Sequence, residues 1–581
     1  MLMKALVLLL LSIYAEGTII STSLGQLRGK SLKTLTGKHA HSFKRVPFAE
    51  PPVNSLRFAK PVSKKPWIGL LDATEYGPAC MTNMSLSSSI PDWVDEDCLH
   101  HNIFTSNSCL RSKSCPVVFF MHGGNLMMDS AVMFDDQTIL NTFCENDVVL
   151  VIAAFRLGVF STITFGSDDV IPRNLATYDM INGLEFVQNE IRSFGGNPKD
   201  VTVMGHSAGA EQAIQLAFSK VIDPHKRLFH KMIAMSPAIY FADERRSVDL
   251  SWELSYRVNV KAVDCLRRTD QFELLRVQRE LEVELFYNNR IMMVPPLFHG
   301  NELLDFLGET SVSRPLLIGS VRFEIPEDGP WQIQNSKFSN HKFHEFHNPI
   351  QVLRKYNSDF DSFKLGELYG FNHSHISQTV FLGTSTVAHS MRKAGGNVFL
   401  YSYENPKHAE HTDDLYYLLG THPFEKDENE KVISKLYVQY FMNFIKTGTP
   451  DPQWPPLEAD LNNYMHIDVD IKSGLRPHMR NFYNKKVLDY WLRDMVEYDK
   501  MLKGDEDDAS PRQMISLKSV SSQISEDSRS CSANGRNLFS LLISFLLGLL
   551  VCFLLIKCNN RNLPSNYMII PSSIEKSNSL F

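Results

Sequence analysis

Residues 201–218 read VTVMGHSAGAEQAIQLAF. The apolar run VTVM feeds into Gly205-His206-Ser207-Ala208-Gly209, and an alanine-rich stretch of strong helix formers leaves it. A strand, a sharp turn and a helix in that order push the serine hydroxyl into a cleft, which is the setting in which G-x-S-x-G carries chemistry. Gly205 and Gly209 supply clearance where the turn brings backbone close to its neighbours, and the helix that follows favours negative charge near its start. In a chain with 30 glycines the pattern alone can arise by accident, and the bland reading is a serine capping an ordinary helix. The strand before it and the helix after it favour a nucleophile.

Working outward, 116–121 (PVVFFM), 148–155 (VVLVIAAF), 232–235 and 316–318 are short continuous apolar runs, as expected of strands buried on both faces. A helix is expected around 133–145 and another over 178–194, the latter stopped by Gly195-Gly196-Asn197-Pro198. TIISTSLGQLRG near the start reads as a hairpin turning at Gly25. The region 250–315 reads as mainly helical, and 331–380, rich in His, Phe and Asn without a clean period, as an insertion at the mouth of a site. Amphipathic helices are expected at 431–448 and 485–498. Alternating strands and helices predict an α/β fold with one mostly parallel central sheet flanked by helices.

The chain has 581 residues, 43% hydrophobic and 21% charged, enough for a large core. A net charge of -6 argues against a nucleic-acid partner. Both ends are distinctive. Residues 1–17, MLMKALVLLLLSIYAEG, have one lysine, an apolar run and small residues at Ala15 and Gly17, the pattern of a signal peptide. Residues 538–556, LFSLLISFLLGLLVCFLLI, are uncharged and sufficient to cross about 28 Å as a helix. The polar segment that follows makes a glycolipid anchor the weaker reading.

The expected layout is therefore a signal peptide (1–17), a folded body (18–501), a polar extracellular stalk (502–537), a C-terminal single transmembrane helix (538–556) and a cytoplasmic tail (557–581). That is a single-pass type I membrane protein with its body extracellular or lumenal, where sequons at Asn83 and Asn372 become glycosylation sites if exposed. Six of the nine cysteines lie in the body. Cys109 and Cys115 flank a short polar turn they could close, while Cys144 and Cys265 either pair or stay thiols.

A serine attacks a carbonyl only when a base takes its proton and an acid holds that base in the right tautomer. In the α/β-hydrolase arrangement the order is serine, acid, histidine, so the partners of Ser207 follow it. KHAEHTDDLYYLLG offers His408 and His411 after the strand-like VFLYSY, and His411 is preferred. Glu324, Glu327 and Asp328 are acids behind the strand PLLIG, and physical reasoning leaves all three open. The oxyanion of a tetrahedral intermediate needs fixed N–H donors, which His122-Gly123-Gly124-Asn125 and the amide of Ala208 are placed to give.

Taken with VPFAEPPVNSLRF, DATEYGPAC, DEDCLHHNIF, HGGN, FRLGVF and NEIRSFGGNPKDVTVMGHSAG, the chain resembles the type-B carboxylesterase and cholinesterase family over roughly residues 19–500. The resemblance implies a serine esterase on an α/β-hydrolase fold, hydrolysing a small-molecule acyl ester through an acyl-enzyme, with no cofactor. It implies Ser207 as nucleophile, His411 as base and Glu324 as acid, five residues after Gly319. Gly124, Asn125 and Ala208 correspond to the oxyanion donors, and Cys80 and Cys98 to the first disulfide of the family. The final helix near 485–498 corresponds to a homodimer contact in relatives.

Three departures stand out: Asn125 replaces the third glycine of HGGG, Ile325 the usual glycine after the acid, and His206 the glutamate of GESAG. Asn tolerates left-handed backbone, so an amide donor at 125 survives the change. Ser88 stands where a cholinesterase carries its choline-binding tryptophan, and Trp93 is out of register, so a general apolar acyl ester is the better expectation. His341, His344 and His347 are spaced for one helical face, but a metal is not needed for this chemistry and a rim cluster is the preferred reading. The competing function is a neuroligin-like surface adhesion protein, disfavoured because Ser207, Glu324 and His411 are all present.

Overall fold

A computed structural model describes residues 17–82, 93–237, 244–260, 262–287, 312–324 and 375–494. Of the expected signal peptide only Gly17, the first residue of a strand, is described; the stalk, transmembrane helix and tail lie outside these residues, as do Asn83, Ser88, Ile325, Glu327, Asp328, the histidines 341, 344 and 347, and Asn372. Among the described residues no helix is long and apolar enough to cross a membrane. Met1–Gln513 forms one unit and Met514–Phe581 a second, of which no residue is described.

Among the described residues a sheet of thirteen strands organises the body. Its principal strands are β1 (Gly17–Ser21), β2 (Gln26–Lys33), β3 (His39–Pro47), β4 (His100–Ser106), β5 (Cys115–Met121), β6 (Val149–Ala153), β7 (Gly196–His206), β8 (Lys231–Met235), β9 (Leu316–Val321), β10 (Val398–Tyr403), β11 (Tyr464–Ile467) and β12 (His478–Arg480). They lie in the order β1-β2-β3-β4-β6-β5-β7-β8-β9-β10-β11-β12, with the short strand Leu70–Asp72 beside β2. The run from β6 to β11 is parallel throughout; the other strands pair antiparallel, except Leu70–Asp72, which runs parallel to β2. Every residue of β6, β8, β9 and β10 is buried, because helices cover both faces of a parallel sheet and leave no polar side to alternate with.

Helices α1 (Leu175–Glu190), α2 (Ala208–Phe218), α3 (Gln271–Tyr287), α4 (His375–Lys393), α5 (Leu415–Leu419), α6 (Glu428–Thr447) and α7 (Lys485–Asp489) follow in chain order. α2 packs on β7 and β8, α4 on β9 and β10, and α6 on β5. α6 starts at a capping box, with Asp427 and Glu430 exchanging side chain to backbone bonds, and ends at Gly448 with φ 80°.

The predicted hairpin, the apolar strands and the helices near 133–145, 178–194 and 431–448 fall within a few residues of observed elements. Two readings differ. α4 begins inside the stretch read as an insertion without period, because Val380, Phe381, Leu382, Val387, Ala388 and Met391 are all buried and apolar contact is not confined to one stripe. The helix expected over 485–498 is α-helical only to Asp489 and continues as a π turn over Tyr490–Asp494, the rest lying outside the described residues.

Candidate active site

The parallel strands deliver their C-terminal ends to one edge of the sheet, and the loops leaving β5, β7, β9 and β10 carry the candidate residues there. Ser207 sits on the turn from β7 to α2 with φ 54° and ψ -124°, backbone that an L-residue rarely adopts. The neighbouring glycines are dictated by space. A Cβ on Gly205 would stand 2.2 Å from the Gly209 carbonyl oxygen, and one on Gly209 would stand 2.2 Å from that of Met121. The Ser207 amide donates to the Met235 carbonyl at 2.9 Å, which pins the elbow to the end of β8. Ala208 opens α2, so its own N–H has no acceptor within the helix.

Glu324 and His411 come together from separate loops. The His411 Nδ1–H donates to Glu324 Oε2 at 2.5 Å, and the His411 backbone N–H donates to the Glu324 carbonyl at 2.7 Å. Phe323 N–H also donates to the Ala409 carbonyl at 2.9 Å, so the two loops run on together past β9 and β10. Glu324 is fully buried, whereas the His411 side chain retains 15% exposure. With Nδ1 committed to the acid, Nε2 is left as the basic nitrogen. Burial pushes the His411 imidazole down to about 4, and it pushes Glu324 up to about 8 against the opposing amide of Val321.

His408 is elsewhere: its Nδ1 meets Glu430 Oε1 at 2.5 Å and its ring stacks on Phe424 at 4.0 Å. Of the three acids left open by sequence, Glu324 is the one the described residues place on His411.

The loop after β5 closes on the elbow. A Cβ on Gly123 would lie 3.1 Å from Ser207 Cβ, so the backbone of this loop passes directly over the serine. Gly124 has φ 90°, and a Cβ there would stand 2.2 Å from the Met128 carbonyl oxygen. Asn125 follows with φ 54° and Leu126 with φ 56°, two left-handed residues in succession. The amides of Met127 and Met128 both return to the Gly124 carbonyl, holding the loop as a tight turn. Asn at 125 thus occupies the backbone region for which it is among the better-suited residues after glycine.

Residues 16–491 match the carboxylesterase family. The chain belongs to that family. It is similar to carboxylesterase 5A of Homo sapiens, 28% identical over 517 residues covering 80% of this chain and 88% of the relative. Carboxylesterase 1D of Rattus norvegicus is 27% identical over 526 residues, covering 79% and 91%. Among solved structures, juvenile hormone esterase from Manduca sexta, with OTFP covalently attached, superposes with TM-score 0.66 at 21% identity, covering 84% of this chain and all of that one. A PNB esterase superposes with TM-score 0.65 at 23% identity, covering 82% and 99%. Both superpositions support the α/β-hydrolase fold, and membership makes this carboxylesterase a carboxylic ester hydrolase.

The disulfide Cys80–Cys98 is present, and the nearby buried pair of Arg57 with Glu96 secures the same loop, Arg57 Nε donating to Glu96 Oε2 at 2.7 Å. Cys109 and Cys115 are bonded as well, whereas Cys144 is a buried free thiol and so not the partner of Cys265. Trp93 is 45% exposed with the Arg45 guanidinium 5.7 Å from its ring centre, so a cation of the protein itself faces it.

Sequence reasoning missed the position of two residues. The His206 Nε2–H donates to the His411 carbonyl at 2.6 Å. Asp414, three residues beyond His411, is fully buried and accepts from the Tyr437 hydroxyl at 2.6 Å, and burial raises it to about 8. His206 was visible as an unusual residue of the motif; Asp414 carried no signal separating it from Asp413.

Proposed function

We propose that this carboxylesterase is a serine hydrolase in which Ser207 attacks the carbonyl of an acyl ester while His411 Nε2 takes its proton. Glu324 holds the imidazole by Nδ1 and stabilises the imidazolium that forms. The N–H groups of Gly124, Asn125 and Ala208 receive the developing oxyanion, a contribution of about 3 kcal/mol for each donor. The tetrahedral intermediate collapses to an acyl-Ser207 ester as His411 returns its proton to the departing alcohol. Water, deprotonated by the same nitrogen, then attacks the acyl group and frees the carboxylic acid.

The 2.5 Å contact between His411 and Glu324 carries this reading, and the loop of Gly123 lying against Ser207 supports it. A small-molecule ester with an apolar part is the substrate class. The body over 18–501 works on the extracellular or lumenal side, released from a signal peptide over 1–17 and tethered by a stalk over 502–537 and the span over 538–556, with 557–581 in the cytoplasm. Glycans at Asn83 and Asn372 and a homodimer contact near 485–498 belong to the same reading. Replacing Ser207 by alanine tests the chemistry: the folded variant should turn over no short p-nitrophenyl ester, and retained turnover would remove Ser207 from the mechanism.

A further inference from the structure

We propose that His206 is a positioning residue whose side chain ties the loop bearing His411 to the nucleophile elbow. The inference rests on the triad proposed above and adds a member that touches neither substrate nor the reacting atoms. His206 is the last residue of β7 and the neighbour of Ser207, so its backbone belongs to the elbow. Its side chain is buried, and its Nε2–H donates to the His411 carbonyl oxygen at 2.6 Å. The two imidazole rings lie 4.8 Å apart between centroids, inclined at 50°. On its other side, a Cβ on Gly123 would come 3.1 Å from His206 Nδ1, so the ring also abuts the oxyanion loop.

The peptide of His411 is thereby held from both ends, its N–H by the Glu324 carbonyl at 2.7 Å and its C=O by His206 at 2.6 Å. This matters because the segment from β10 to α5 has no helix or strand of its own to fix the imidazole. A displacement of about 1 Å at a reacting group is enough to lose roughly 100-fold in rate. The bond requires a donor at 206. An ionised acid offers none, so a carboxylate there could not make it. Burial holds the His206 ring well below the usual histidine range, at about 3, so it donates as a neutral group and adds no cation beside the imidazolium of His411.

The test uses the full chain and three variants. His206→Gln keeps an amide donor at similar reach, His206→Asn keeps the amide but is too short, and His206→Leu has no donor. Each is measured for kcat and KM on a p-nitrophenyl acyl ester, for melting temperature, and for amide hydrogen exchange over 405–414. The expected result is a loss of about 10- to 100-fold in kcat for Asn and Leu with KM little changed, faster exchange over 405–414, and recovery of both by Gln. The proposal is overturned if Gln, Asn and Leu fall together, or if exchange over 405–414 is the same in Leu and Asn as in the wild type. Should the wild-type chain lack esterase turnover, the triad reading fails, and the exchange comparison alone still decides the tether.

Discussion

His411 and Glu324 are joined twice, side chain to side chain at 2.5 Å and backbone to backbone at 2.7 Å, so the acid fixes both the ring and the chain that carries it. A histidine held by its ring alone could swing about its own backbone. Here the peptide is bound as well, and the loops behind β9 and β10 act as one unit.

Glu324→Gln therefore isolates the charge from the packing. A carboxamide fits the same volume but can present its NH2 to Nδ1, favouring the tautomer with the proton on Nε2. The expected loss in kcat is roughly 10³- to 10⁴-fold with the fold intact. Steady-state kinetics beside circular dichroism check it, and a loss under tenfold would show that the acid does not govern the tautomer.

The pair also predicts a pH profile. With one proton shared between them, either the carboxyl is protonated or the imidazole is charged, and in both forms Nε2 carries hydrogen and cannot accept from serine. Burial raises Glu324 to about 8, so kcat/KM should climb with pH through the neutral range and level off above about 8. A profile of kcat/KM that is flat from acid to alkali would contradict this.

The oxyanion loop gives a steric prediction. At Gly124 a side chain meets the Met128 backbone at 2.2 Å, on a φ of 90°, with no flexible atom to yield. Gly124→Ala should cost about 10²- to 10³-fold in kcat, the scale of a lost oxyanion donor. Near-normal kcat in a correctly folded variant would move the oxyanion site away from this loop.

Much of the sheet was legible in the sequence because β5 to β9 lie between two layers of helix, which forces unbroken apolar runs such as VVFF and LLIG. The strands β3 and β4 were not legible, for the opposite reason. HAHSFKRVP and HHNIFTS bury His41, Ser42, Lys44, His100, His101, Asn102 and Thr105, and those polar groups look like a loop until their partners are known. Lys44 is satisfied by Asp136 at 2.6 Å, and the Asn102 amide by the Ala131 carbonyl at 2.9 Å, both distant in sequence. At the site, the motif around Ser207 and the loop at Gly124 announce themselves locally. Glu324 stood level with Glu327 and Asp328 on physical grounds, and only the resemblance to a family separated it, because an acid is chosen by which loop meets the base. His206 stood out as a departure, yet its bond to the His411 carbonyl spans 205 residues and no spacing rule could give it.

Buried histidines set the acid limit of the fold. His100, His101 and His206 are depressed to about 3, and His122 and His411 to about 4, chiefly by burial. Each contributes stability that is full above its unfolded value of 6.5 and is lost as pH falls through its folded one. Glu324 and Asp414, raised to about 8, act in the reverse sense, their contribution being present in acid and lost as pH rises. With His466, also held down to about 4 by burial, six imidazoles outweigh these two carboxyls, so the urea midpoint should fall steadily below pH 6.5. A midpoint that holds or rises toward pH 4.5 would contradict the balance.

Covalent labelling by a fluorophosphonate, located by peptide mass spectrometry on the folded chain, bears most directly on whether one serine is activated. One phosphonyl group per chain on Ser207, and none on the Ser207→Ala variant, is the predicted outcome. A folded chain that takes up no label, or takes it up on another residue, would contradict the account.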